Sequence, residues 1–137
     1  PRLADLSQTR RVTAKIDCSF IPMFCWHRPP REALYALATY GCEAGNVLLG
    51  IRSNGEVAGC SFLKGAGLSV FDFEKGFHRN DRLLAASKWV DNAPQPCAGC
   101  DYLDICKGGC RAVAIAVSGD MSAPDPGCPF VVEYNER

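Results

Sequence analysis

The 137-residue sequence has no net charge, with 15 Lys and Arg against 15 Asp and Glu. Without a basic excess there is nothing to neutralise a phosphate backbone, which argues against nucleic acid as a partner. Long hydrophobic runs are missing too. Stretches such as Val47-Leu48-Leu49-Gly50-Ile51 are far too short to span a bilayer, so no membrane partner is expected. The start shows no basic n-region followed by an apolar h-region, the pattern of a secretory signal. The first residue is Pro1, which reads as an excerpt or a processed product. No internal repeat is evident.

What the sequence has in excess is cysteine, nine in all. An odd number does not suit a closed set of disulfides. Pairs two or three residues apart seldom make good disulfides but are common among metal thiolates. A reducing, cytoplasmic compartment is the expected setting.

Residues 12–16 alternate apolar and polar side chains, as a half-buried strand does. Residues 17–22 read as its exit loop. Pro29-Pro30 precedes a helix expected over residues 31–39 and ended by Gly41. Residues 47–52 and 56–62 are strand-like and flank Ser53-Asn54-Gly55, a strong hairpin signal. Gly65-Ala66-Gly67 reads as a flexible loop, and residues 68–73 as a short strand. Asn80-Asp81 can cap a helix running to about Val90. A further short helix is expected over residues 110–117, with a loop through Pro124-Asp125-Pro126 beyond it.

The chemistry lies in Cys97-x2-Cys100-x5-Cys106-x3-Cys110-x17-Cys128. Loops containing Gly99, Gly108 and Gly109 can wrap thiolates around a compact inorganic core, leaving backbone N–H groups to face its sulfurs. Cys110 stands at a helix N-terminus, where the dipole favours thiolate. Lys107 and Arg111 are placed to offset the charge of a thiolate-ligated cluster. Five cysteines exceed the needs of one tetrahedral site or one cubane, and Cys42 and Cys60 raise the number to seven. Two metal centres with interleaved ligands follow.

Cys42, twelve residues, Gly55, four residues and Cys60, followed by the five-cysteine array, resembles the SPASM domain, the auxiliary domain of a large class of radical S-adenosylmethionine enzymes. The surrounding text is similar: Gly41-Cys42-Glu43-Ala44-Gly45, Asn54-Gly55-Glu56-Val57, Tyr102-Leu103-Asp104-Ile105-Cys106-Lys107-Gly108-Gly109-Cys110-Arg111, and Ala123-Pro124-Asp125-Pro126-Gly127-Cys128. The likeness covers residues 41–128. It implies an α+β fold, a small cysteine-rich domain over residues 41–137 with a β-hairpin and short helices around two cluster sites. Residues 1–40 would be a strand–loop–helix remnant of a partial α/β barrel.

The resemblance further implies two 4Fe–4S clusters, with Cys42, Cys60 and Cys110 on the first and Cys97, Cys100, Cys106 and Cys128 on the second. No cysteine stands a few residues before Cys42, where several relatives complete the first cluster. The fourth position is left to an open iron, a non-cysteine ligand, or Cys25 or Cys18 brought in by a loop. The family's catalytic motif, Cys-x3-Cys-x2-Cys, is absent, since Cys106 and Cys110 are followed by Val113. S-adenosylmethionine and a third cluster are therefore expected only in an N-terminal barrel of the same protein. The substrate implied is a peptide or a small molecule such as a cofactor precursor, met near Cys42, Cys60 and the 65–67 loop. The domain would relay electrons or anchor that substrate.

The rival for the array is zinc in a structural or interaction module, which explains four cysteines more comfortably than seven. Cys18 reads as a small buried hydrophobe, and Cys25 stands between that and a ligand. His27 reads as a solvated loop residue. Asp17, Asp101, Asp104 and Asp125 read as turn or capping residues. Ser61 stands where sulfatase-maturating relatives carry an aspartate base, which argues against that activity.

Overall fold

A computed structural model describes residues 9–11 and 16–137. The strand expected over residues 12–16 lies outside them, apart from Ile16. Seven short α-helices, several 3-10 turns and a three-stranded antiparallel sheet make up the described elements.

The sheet grows from the hairpin. Strand β1 (Gly50–Ile51) pairs with β2 (Glu56–Ala58) in the register Gly50 to Ala58 and Ile51 to Val57. Gly55 closes the three-residue loop at φ 80°, the left-handed position that this loop length requires. Strand β3 (Leu68–Ser69) pairs Leu68 with Val57. The strands are shorter than the runs from which they were expected, and Val70–Asp72 turns instead into a 3-10 helix. Val57, on the central strand, packs with Ala66 and Leu83.

The loop at residues 65–67 is pinned rather than flexible. Ala66 N–H donates to Val57 O at 2.8 Å, Gly67 N–H donates to the Glu56 carboxylate at 2.8 Å, and the Asn80 amide donates to Ala66 O at 3.1 Å.

The helices follow local signals where those are strong. Residues 17–22, expected as a loop, form a 3-10 turn (Cys18–Phe20) and the start of α1 (Ile21–Trp26). Pro22 fits the first turn of α1, where its missing N–H costs nothing. Helix α2 (Arg31–Ala36) stops short of Gly41, because Ala38 turns left-handed at φ 48°. Gly41 has another use: a Cβ there would lie 1.9 Å from the Cys106 carbonyl oxygen, and only glycine admits that approach. After α3 (Phe73–Gly76) comes α4 (Asp81–Ser87), whose cap Asn80 accepts from Leu83 N–H at 3.1 Å. Helices α5 (Leu103–Cys106), α6 (Arg111–Ser118) and α7 (Pro129–Asn135) complete the chain.

Among the described residues the core is divided into four small clusters, and three of them contain cysteine. Ile21, Cys25 and Leu34 pack with Ile105 and Cys106, so residues 17–40 share a buried cluster with the cysteine loop. Trp26 meets Phe130 of α7 edge to face at 4.8 Å, and the Tyr102 hydroxyl donates to Pro29 O at 2.8 Å.

Candidate metal centres

The 3-10 turn at Cys18 is set by Asp17, whose carboxylate accepts from Ser19 N–H at 2.9 Å and from the Ser19 hydroxyl at 2.6 Å. This places Cys18 on the rim of a cavity of about 660 Å³ that is also lined by Cys42, Cys60 and Cys110, with Leu48 and Phe62 among its walls. The hairpin brings Cys60 to the site, the loop before β1 brings Cys42, and the start of α6 brings Cys110. Burial, then Asp17 and the sulfurs of Cys110, Cys42 and Cys60, push the Cys18 thiol up to about 11. Cys110 occupies the N-cap of α6. Burial raises its thiol, while the N–H groups of Val113 and Ala112 oppose the rise without closing a cap hydrogen bond of ordinary geometry.

A second group forms on the other side of the cysteine loop. Burial first, then Cys128, Cys106 and Cys100, push Cys97 up to about 12. Burial also raises Cys100, with Cys106 adding to it. At Cys128, the N-cap of α7, burial raises the thiol against the opposing N–H groups of Val131 and Phe130. Cys106 is raised by its hydrogen bond with Cys25 and by burial, and the N–H groups of Gly109 and Gly108 face its sulfur. Those N–H groups are aimed by three successive left-handed residues, Lys107, Gly108 and Gly109.

Cys25 therefore stands with the second group, beside Cys106 and 1% exposed. Cys18 stands with the first. His27 is exposed at the end of α1, and Ser61 lies exposed at the rim of the first cavity.

Two residues given smaller roles above hold the groups together. Arg111 is completely buried. Its guanidinium donates to Met121 O at 3.1 Å, to Ala123 O at 2.7 Å and to Gly108 O, and lies 4.0 Å from the centre of the Trp89 ring. Burial lowers its pKa, against the opposing pull of Cys42, Asp125, Cys97 and Cys110. Lys107, by contrast, is engaged by Glu43.

Asp125 is a turn residue, as expected, but a buried one. It accepts from Cys110 N–H at 2.8 Å and from Gly127 N–H at 2.9 Å, tying the two cysteine loops together. Asp125→Ala leaves both donors unpaired and should cost about 2–4 kcal/mol. Asp125→Asn, which keeps one acceptor, should fall between, as read by urea denaturation of the loaded protein. Nothing in the spacing marks Asp125 or Arg111 as buried. The run Pro124-Asp125-Pro126 is the local signal of a constrained turn.

Among the described residues, no three His, Cys, Asp or Glu side chains converge closely enough for a single ion. Zinc–sulfur bonds of about 2.3 Å would require sulfurs within about 4 Å of one another. The donor set, soft thiols with backbone N–H groups directed at them and a buried cation nearby, is one that suits a thiolate-bound metal centre. A thiol must lose its proton to bind metal, and burial makes that harder at Cys18, Cys97, Cys100, Cys110 and Cys128. Metal loading should thus weaken as pH falls from about 8 to 6, several-fold more steeply than for one ordinary thiol. Titration against a chelator of known affinity measures this; a flat profile would count against thiolate ligation.

Three curated proteins match part of the chain. It is 50% identical over 39 residues to the PqqA peptide cyclase of Granulibacter bethesdensis, covering 28% of this chain and 10% of that protein. It is 44% identical over 43 residues to the PqqA peptide cyclase of Ruegeria pomeroyi, covering 31% and 12%. Against the enzyme of the same name from Rhodopseudomonas palustris it is 53% identical over 34 residues, covering 25% and 9%. The chain thus spans about a tenth of the length of these relatives. No family model and no solved structure matches it. Among the described residues no helix is long and apolar enough to cross a membrane.

Proposed function

We propose that this chain is the auxiliary cluster-binding part of a radical S-adenosylmethionine enzyme that modifies a peptide. The observation that carries the reading is the sorting of interleaved cysteines into two spatial groups. Cys110 leaves its neighbours Cys106 and Cys100 and lines a cavity with Cys42 and Cys60, while Cys97, Cys100, Cys106 and Cys128 interact with one another. The local similarity to PqqA peptide cyclases supports a peptide as substrate over a small cofactor precursor.

In this reading each group holds one 4Fe–4S cluster, which would supply a site for storing or passing an electron. The chain's own residues do the rest. Arg111 offsets thiolate charge from between the groups, and the N–H groups of Gly108 and Gly109 stabilise the sulfur of Cys106. Radical generation would fall to a barrel that carries Cys-x3-Cys-x2-Cys and binds S-adenosylmethionine.

Protein made and reconstituted without oxygen should hold about eight irons and eight sulfides on these cysteines. Zinc alone, near stoichiometry and with no iron uptake, would overturn the reading in favour of a structural zinc module.

A further inference from the structure

We propose that Cys18 is the fourth thiolate of the first site, completing a four-sulfur set with Cys42, Cys60 and Cys110. This rests on the cluster-binding reading above and deepens it: the first cluster would be closed by protein, not left with an open iron for substrate.

Cys18 and Cys25 are seven residues apart, a separation that would put them on one face of a continuous helix. The helix is not continuous. Asp17 caps a separate 3-10 turn at Cys18–Phe20, and α1 begins only at Ile21. Ile21 is fully buried and Cys25 is 1% exposed, and both pack with Cys106. That anchor directs Cys25 to the second group and leaves Cys18, on the preceding turn, at the cavity shared by Cys42, Cys60 and Cys110.

Other donors line the same cavity but have partners. Glu43 is paired with Lys107 and accepts from the Asn46 amide at 2.6 Å. Asp17 accepts from Ser19 through both its backbone and its hydroxyl. Ser19 and Ser61 offer neutral hydroxyls, poor competitors for an iron that prefers thiolate. Cys18 is only part-buried, so its sulfur can turn into the cavity without disturbing the core.

The test uses the full protein, reconstituted without oxygen and read by Mössbauer and electron paramagnetic resonance spectra. The first-cluster signal is the one lost in Cys42→Ala. Cys18→Ala should lose about a quarter of that cluster's iron, or open the site so that an added small thiol restores the original spectrum. Cys25→Ala should leave the signal in place. Should Cys18→Ala lose both clusters, Cys18→Ser decides, because its oxygen should shift the first-cluster spectrum alone. An unchanged spectrum in both Cys18 variants, or opening of the first site by Cys25→Ala, would overturn the assignment. Failure of the parent protein to take up any iron would instead overturn the cluster-binding reading itself.

Discussion

Arg111→Met should destabilise the loaded protein by about 3–5 kcal/mol, an effect of the size seen when one member of a buried ionic network is removed. Three carbonyl oxygens lose their donor, that of Gly108 in a buried contact and those of Met121 and Ala123 in part-buried ones. Each such orphan costs about 1–3 kcal/mol. The contact with Trp89 goes as well, worth about 2 kcal/mol when desolvated. Against these stands relief from burying a charge, which is why the three costs do not simply add. Arg111→Lys should recover little, because an ammonium cannot match the planar fork that spans three carbonyls. Urea denaturation followed through the cluster absorbance reads the effect. A change below about 1 kcal/mol in Arg111→Met would show that the buried guanidinium is not holding the loop.

The parts of the fold that were legible are those where one residue type has one use. Asn54-Gly55 announced the hairpin because the loop needs a left-handed glycine. Asn80 announced α4 because its amide oxygen can close the first turn. Helix α7 was not read from the sequence, since Phe130, Val131 and Val132 favour strands in isolation. Its packing on Trp26 of α1, with Val131 buried, overrides that preference. Helix α1 was hidden for a similar reason, because Pro22 reads equally as a break and as a first helical turn.

The site was legible in part. Spacing alone allowed two interleaved centres but gave no means to divide seven cysteines between them; the division came from the resemblance. The sides taken by Cys18 and Cys25 depend on a break between a 3-10 turn and a helix, which no periodicity signals. Arg111 was placed near the cysteines as a counter-charge, but its complete burial runs against the habit of arginine and could not be anticipated. Three carbonyl oxygens and the Trp89 ring around it, drawn from Gly108 nearby and from segments farther off along the chain, make that burial tolerable.

Stripping the metal should have the largest effect of all. The longest described helix, α6, has eight residues, and the strands have two or three, so none would persist on its own. The apolar core cannot compensate, being split among the described residues into four clusters, three of which include cysteines. In the reading proposed here, one cluster joins residues 18, 42, 60 and 110, and the other joins 97, 100, 106 and 128. Together they cross-link most of the chain. Structural metal sites of this kind contribute on the order of 10 kcal/mol of folding free energy, comparable to the roughly 5–15 kcal/mol that holds a domain together. Chelation under denaturant-free conditions should therefore abolish near-ultraviolet circular dichroism and the cooperative urea transition, leaving amide protons to exchange at nearly unfolded rates. Re-addition of iron and sulfide without oxygen should restore all three. A metal-free chain that still unfolds cooperatively at the same urea concentration would mean that the cysteines are packing residues only, and that the small apolar clusters suffice.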